Sequence, residues 1–183
     1  MIDRRRFLVG MAAAGMLASD AQAHPKFRLA RRFRPQSVRF EGYLPGTIVV
    51  DPAERFLYLV TEEGTARRYG VGVGKAGLAF RGSAVVGRKA KWPRWMPTAN
   101  MIERNPGKYG RYADGMEGGP RNPLGARALY LYRNDRDTLY RIHGTNEPST
   151  IGRAVSNGCI RMINDHVVDL YDRVDVGTRV VVL

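Results

Sequence analysis

From Val38 onward the chain is a succession of short β-branched and aromatic runs broken by turn residues. "GTIVVD" (46–51) and "RFLYLV" (55–60) are separated by "DPAE", a tight-turn signal. "TARRYGVGV", "SAVVGRKA", "ALYLY" and "LYRIHG" follow at short spacings. "RNDRDT" (Arg133 to Thr138) joins the last two as a hairpin. Runs of this length and composition predict a mostly β domain. One stretch of the C-terminal part reads as a helix: "NDHVVDLYDRV" puts Val167, Leu170, Tyr171 and Val174 on one face, with Asn164 or Asp165 as its cap and Gly177 ending it. "TRVVVL" returns as a final strand.

The segment Trp92 to Leu124 does not fit a compact meander. It holds Pro93, Pro97, Pro106, Pro120 and Pro123, and room for at most one short helical turn, around "TANMIER". A loop this long in a small domain is functional or disordered, and Trp92, Trp95, Tyr109 and Tyr112 supply the aromatic packing that orders it. It reads as a lid, with Trp92, Trp95 and Tyr112 as walls of a substrate groove.

The N-terminus reads as a leader. Arg4, Arg5 and Arg6 precede an apolar run from Phe7 to Ala18, and "AQA" closes it before His24-Pro25. A basic start, a short apolar core and a small-x-small site make an export signal over 1–23, of twin-arginine type. The apolar run falls short of the about 20 residues a membrane span takes. Residues 24–37 ("HPKFRLARRFRPQS") read as a flexible basic arm and 38–183 as one domain. The net charge of +13 over 183 residues suits a polyanionic partner. An exported chain rarely meets nucleic acid, and no nucleic-acid-binding motif is present, so a cell-envelope polymer is the better partner.

Two further motifs are weak. "GVGVGKAG" (70–77) looks like a phosphate loop, but Ala76 stands where the metal-binding hydroxyl belongs and no helix follows. His143 and Cys159 together supply two ligands of a zinc site, and nothing nearby completes a tetrahedral set.

Cys159 is the single cysteine, so it makes no disulfide within the chain. Its surroundings, "AVSNGCIRMIN", and the strand end "LYRIHG" give it a partner in His143, sixteen positions earlier. The intervening segment is rich in glycine, proline and small polar residues and can loop back. An imidazole near a thiol makes a nucleophile and an acid–base in one unit, either as a preformed thiolate–imidazolium pair or as a neutral pair that transfers its proton when substrate binds. The positive end of the helix near Asn164 would help the thiolate. Gly158 permits a tight turn in which consecutive N–H groups converge as an oxyanion hole, and Arg161 is placed to hold a carboxylate.

"HGTN" followed by "SNGCIRM" resembles the YkuD-domain family of L,D-transpeptidases, whose signature is a histidine-glycine strand end followed by S-x-G-C-[IV]-R. "GGPRNPLGARALYL" and "RFLYLV" are similar to that family's lid end and early strand, and "WPRWMPTANMI" to the lid of a Gram-negative envelope subgroup. The resemblance covers 38–183. It implies a sandwich-like, mostly β catalytic domain with a few short helices. It makes Cys159 the nucleophile, His143 the general base, and the Gly144 carbonyl the group that orients the imidazole. The amides of Gly158 and Cys159 would form the oxyanion hole, Ser156 would shape the loop, and Arg161 would engage the donor peptide or hold the loop. Asn157 departs from the second histidine that many members carry there, and it belongs with the substrate-binding positions. The implied reaction is acyl transfer on peptidoglycan stem peptides in the periplasm, through a thioester and without a cofactor, with another stem or an envelope protein supplying the amine. A hydrolase on the same fold and a non-catalytic wall-binding module are the competing readings.

Overall fold

A computed structural model describes residues 27–76, 78 and 80–183. The leader expected over 1–23 lies outside these residues. The described residues form eleven strands and three α-helices: β1 (Gln36–Arg39), β2 (Ile48–Asp51), β3 (Phe56–Glu62), β4 (Thr65–Gly70), β5 (Val73–Gly74), β6 (Gly82–Lys91), α1 (Ala99–Arg104), α2 (Pro106–Tyr109), β7 (Arg127–Arg133), β8 (Arg136–His143), β9 (Ala154–Ser156), β10 (Ile160–Arg161), α3 (Asn164–Arg173) and β11 (Arg179–Val182). The mostly β architecture agrees with the sequence. No helix among the described residues is long and apolar enough to cross a membrane.

Nine strands form one continuous sheet in the order β1-β4-β3-β2-β11-β6-β7-β8-β10, while β5 and β9 make a separate parallel pair. The C-terminal strand is the keystone. β11 runs parallel to β2 (Val181 opposite Val49) and antiparallel to β6 (Val180 opposite Ala84), which joins an N-terminal meander to a C-terminal one. Alternate residues of these strands enter a single core: Ile48 and Val50, Leu57 and Leu59, Val180 and Val182, Ala84 and Val86, Leu129 and Leu131. Val167 and Leu170 of α3 close that core against β7 and β8. The mostly β, sandwich-like domain that the resemblance implies is built from one large sheet sharing its core with a helix.

The β7–β8 hairpin turns at Asn134 and Asp135, both at positive φ (50° and 58°). That pair of left-handed residues is the two-residue turn whose twist suits a hairpin. The basic arm is less free than its composition suggests. Phe33 ends a 3-10 turn (Arg31–Phe33), is buried with Phe56 and Ile151, and packs onto Gly70 and Gly152. Gln36 and Ser37 already belong to β1. The arm is anchored because one aromatic ring among its cations finds an apolar seat.

The lid is more structured than one helical turn. α1 starts where "TANMIER" places it, with Thr98 Oγ1 accepting the Met101 N–H at 3.2 Å. A second one-turn helix, α2, follows with Asn105 as its cap. Trp95 and Met116 exchange two backbone hydrogen bonds (2.9 and 2.7 Å) that close the loop on itself. Asn122 ties down the lid's base: its Nδ2 donates to the carbonyls of Pro93, Met116 and Glu117, and its Oδ1 accepts the Leu124 N–H.

Candidate active site

β8 carries His143 at its end, beside the strand β10 that follows Cys159. The two strands run parallel, with Arg161 opposite His143. The His143 imidazole is buried, and its Nδ1 lies 2.6 Å from the Gly144 carbonyl. A carbonyl only accepts, so Nδ1 bears the hydrogen and Nε2 keeps a lone pair. The Gly144–Thr145 peptide is itself held from its other side. Asn164 Oδ1 accepts the Thr145 N–H (3.1 Å) and the Ala126 N–H (3.0 Å), bracing the chain after β8 against the start of β7. A Cβ on Gly144 or Gly125 would collide with that same oxygen. Asn164 is therefore the first residue of α3 rather than its cap, and its side chain serves the active-site loops. α3 also ends at Arg173, with Val174 extended, four residues before Gly177.

The cysteine side of the site is a turn between β9 and β10. Gly158 has φ +123° and lies against the Tyr140 ring and the Leu78 carbonyl, a place without room for a Cβ. Ser156 Oγ donates to the Cys159 carbonyl at 2.6 Å and accepts the Gly158 N–H at 3.1 Å. This pair of bonds ties the turn at Gly158 to the Cys159 carbonyl. It also corrects the oxyanion-hole expectation for Gly158, because that amide is buried and already committed to the serine. The Cys159 amide is the member of the pair that Ser156 does not engage. Across from the turn, β8 bulges where Tyr130 pairs with Arg141 but Tyr132 pairs with Asp137. Leu139, at φ +63°, turns its carbonyl toward Cys159 Sγ at 4.0 Å. Asp137 supports the bulge by accepting the Leu139 N–H and a two-pronged ion pair from Arg141 (2.7 and 2.8 Å).

Electrostatics decide the resting protonation state. Burial, reinforced by the nearby Arg161 guanidinium, lowers the His143 pKa to about 4. Burial also raises the Cys159 thiol, with the Arg141 backbone N–H and the Arg141 and Arg161 charges opposing it. Both shifts disfavour charge, and no hydrogen bond joins the two side chains. Of the two states the sequence left open, both shifts favour the neutral thiol with a neutral imidazole. Along the chain, β10 lies between Cys159 and α3.

Cys159 and His143 line one cavity of about 260 Å³ together with Ser156, Asn157, Arg161, Trp95 and Tyr112. Arg161 pairs with Glu147 at 2.8 Å, so it holds the loop after β8. Trp95 packs against Tyr109 and edge-on against Tyr112, forming an aromatic wall. Trp92 does not join it. Its N–H donates to the Ala126 carbonyl at the lid's base, it is 45% exposed, and it lines neither this cavity nor its neighbour. The bend at Trp92 (φ +44°) starts the lid instead of walling the groove. Asn122, Asn164 and Glu147 are the positions that sequence reading missed. Asn164 stood out as a polar residue at a helix start, but its acceptors' partners are 19 and 38 residues away.

The L,D-transpeptidase catalytic domain profile (YkuD) matches residues 45–182. The chain belongs to this family. It is 40% identical over 153 residues to the probable L,D-transpeptidase ErfK/SrfK of Salmonella typhimurium, an alignment covering 81% of this chain and 48% of that protein. It is 35% identical over 149 residues to the probable L,D-transpeptidase YbiS of Escherichia coli, covering 80% and 47%. The chain thus spans about half the length of these curated relatives. Among solved structures, a Brucella melitensis protein described as a probable carnitine operon oxidoreductase is 61% identical with a TM-score of 0.59, covering 85% of this chain and 96% of that one. An L,D-transpeptidase from Mycobacterium smegmatis, 19% identical with a TM-score of 0.53 over 75% of this chain and 58% of its own, shares the fold. The family is one of acyltransferase-type enzymes. The oxidoreductase description belongs to the Brucella protein.

Proposed function

We propose that this protein is a periplasmic L,D-transpeptidase that acylates Cys159 with a peptidoglycan stem peptide, releases D-alanine, and passes the acyl group to an amine. The observation that carries this reading is a buried imidazole, fixed by its Nδ1–H bond to the Gly144 carbonyl, in the same cavity as the chain's single thiol. A base held in one tautomer by a backbone carbonyl does what a third acidic residue does in a triad.

The steps follow from that arrangement. Substrate enters beneath the lid and expels water, and Cys159 attacks the carbonyl of the bond before D-alanine as its proton passes to His143 Nε2. Because thiol and imidazole both start neutral, the transfer accompanies attack and produces one imidazolium. The Cys159 amide supports the developing oxyanion. His143 then gives its proton to the departing D-alanine amine, and the thioester remains. An incoming amine, from a second stem or an envelope protein, loses its proton to His143 and takes the acyl group. Arg161 keeps the His143 loop in register through Glu147.

The test is to incubate residues 24–183 with disaccharide-tetrapeptide, with and without an acceptor amine, and to identify products by mass spectrometry. A transferase gives an amide product that depends on the amine. Tripeptide formed equally with and without amine would make the protein a carboxypeptidase, and unchanged tetrapeptide would favour a binding module.

A further inference from the structure

Cys159 also lines a second cavity, of about 530 Å³, which shares Trp95, Met101, Leu124 and Asn157 with the first. His143 lines only the first. Four arginines line the second, Arg88, Arg94, Arg104 and Arg141, and among the described residues no carboxylate does. Two of the four are satisfied within the protein: Arg141 by Asp137 at 2.7 Å and Arg94 by Glu117 at 3.1 Å. Arg88 and Arg104 make no ion pair among the described residues. Arg88 lies over the Tyr130 ring at 3.7 Å, and Arg141 lies over the same ring at 4.3 Å. Tyr130 is buried, so this ring fixes one unpaired guanidinium beside another cation at the cavity wall. An anion entering there gains preorganised charge-assisted hydrogen bonds and relieves the repulsion between them.

The proton path assigns the two cavities. The departing amine and the incoming amine both exchange a proton with His143, so both occupy the first cavity. The acyl carbon sits on Cys159 Sγ, and the rest of the retained chain needs a space that touches the thiol and leaves the imidazole free. Only the second cavity meets that requirement among the two. We propose that the second cavity receives the retained acyl chain and that Arg88 and Arg104 bind a carboxylate on it, making the enzyme selective for acyl donors with a free acid near the scissile bond. This rests on the acyl-transfer reading above. Arg104 adds a coupling to the lid, since it belongs to α1: an acidic donor would draw the lid helix onto the bound chain.

The experiment compares two peptide donors, one with free side carboxylates and one with those carboxylates amidated, on wild type, Arg88→Gln, Arg104→Gln and the double variant. The expected result is a loss of about tenfold or more in kcat/KM for the acid donor in the double variant, less than about twofold for the amidated donor, and an unchanged KM for the acceptor amine. Equal losses on both donors, or an effect confined to the acceptor, would overturn the assignment. Arg88→Met keeps the aliphatic cover of Tyr130 and replaces the glutamine variant if that one loses its near-ultraviolet dichroism. A binding arm separates the cavity from the chemistry. Titrating the acid and amidated peptides into the Cys159→Ala protein, with and without the two arginine substitutions, should show tighter binding of the acid peptide only where both arginines are present. Inorganic phosphate serves as the control anion; if it binds as tightly as the acid peptide, the site is a general anion sink and the proposal fails. If wild type turns over neither donor, the acyl-transfer reading falls, and the binding arm alone decides the cavity.

Discussion

In the proposed mechanism His143 holds a proton during the reaction, yet burial disfavours its charged form at rest, and that tension has a measurable cost. The unfolded imidazole takes up its proton near pH 6.5 and the folded one near 4. Between those values the unfolded state binds a proton that the native state does not, so stability is full above about pH 6.5 and falls as the pH drops toward 4. The loss amounts to about 3 kcal/mol from this residue. Urea unfolding at pH 7 and pH 4 should show it as the part of the acid destabilisation that His143→Gln removes; equal pH dependence in both proteins would mean that the ring is not held neutral. The thiol gives the companion prediction. Iodoacetamide should alkylate Cys159 slowly at mildly acidic pH, with a rate that rises only above the ordinary thiol value of about 8.5. His143→Ala should leave that profile in place while turnover collapses. At this scale the meeting of His143 and Cys159 in one cavity was legible in the sequence because a histidine-glycine strand end and a glycine-cysteine turn are local signals. The commitment of the Gly158 amide was not, because nothing in the residue spacing says whether Ser156 Oγ or a substrate oxygen takes that N–H.

Two asparagines show how elements hold the site. Asn122 gathers three lid carbonyls. Asn122→Ala should loosen Pro93 to Glu117, raising KM severalfold and exposing the lid to proteolysis while the sheet's melting temperature moves little. An unchanged KM would make the lid irrelevant to substrate capture. Asn164 joins α3 to the loops before β7 and after β8. Asn164→Ala leaves two backbone N–H groups without an acceptor, a loss of about 1–3 kcal/mol, and it frees the peptide that orients the imidazole. It should lower kcat more than it changes KM, and Asn164→Asp, which keeps an acceptor oxygen, should restore much of the rate. A substitution that only destabilised the fold would leave kcat of the folded protein unchanged. Individual strands and α1 could be read from local composition and capping. The asparagine bridges could not, since their hydrogen-bond partners lie on other segments of the chain. The order of strands was equally hidden, because β11 at the C-terminal end pairs with β2 and β6, which lie far earlier in the sequence.

The whole molecule depends on long-range closure, with β11 inside the sheet and Phe33 sealing the edge where β4 meets the loop before β9. Phe33→Ala should cost about 3 kcal/mol and release the basic arm; a change near zero would return the arm to the flexible segment its composition suggests. The leader and envelope partner read from charge concern residues and surroundings beyond the sheet, whereas the acyl transfer proposed for the site stands or falls within it. The direct test is intact-protein mass spectrometry of residues 24–183 mixed with disaccharide-tetrapeptide and quenched in acid. The account predicts an adduct equal to the substrate less D-alanine, located on Cys159, absent from Cys159→Ala and discharged by an acceptor amine. Turnover of the tetrapeptide by Cys159→Ala at the wild-type rate, with no adduct on the wild-type protein, would contradict it.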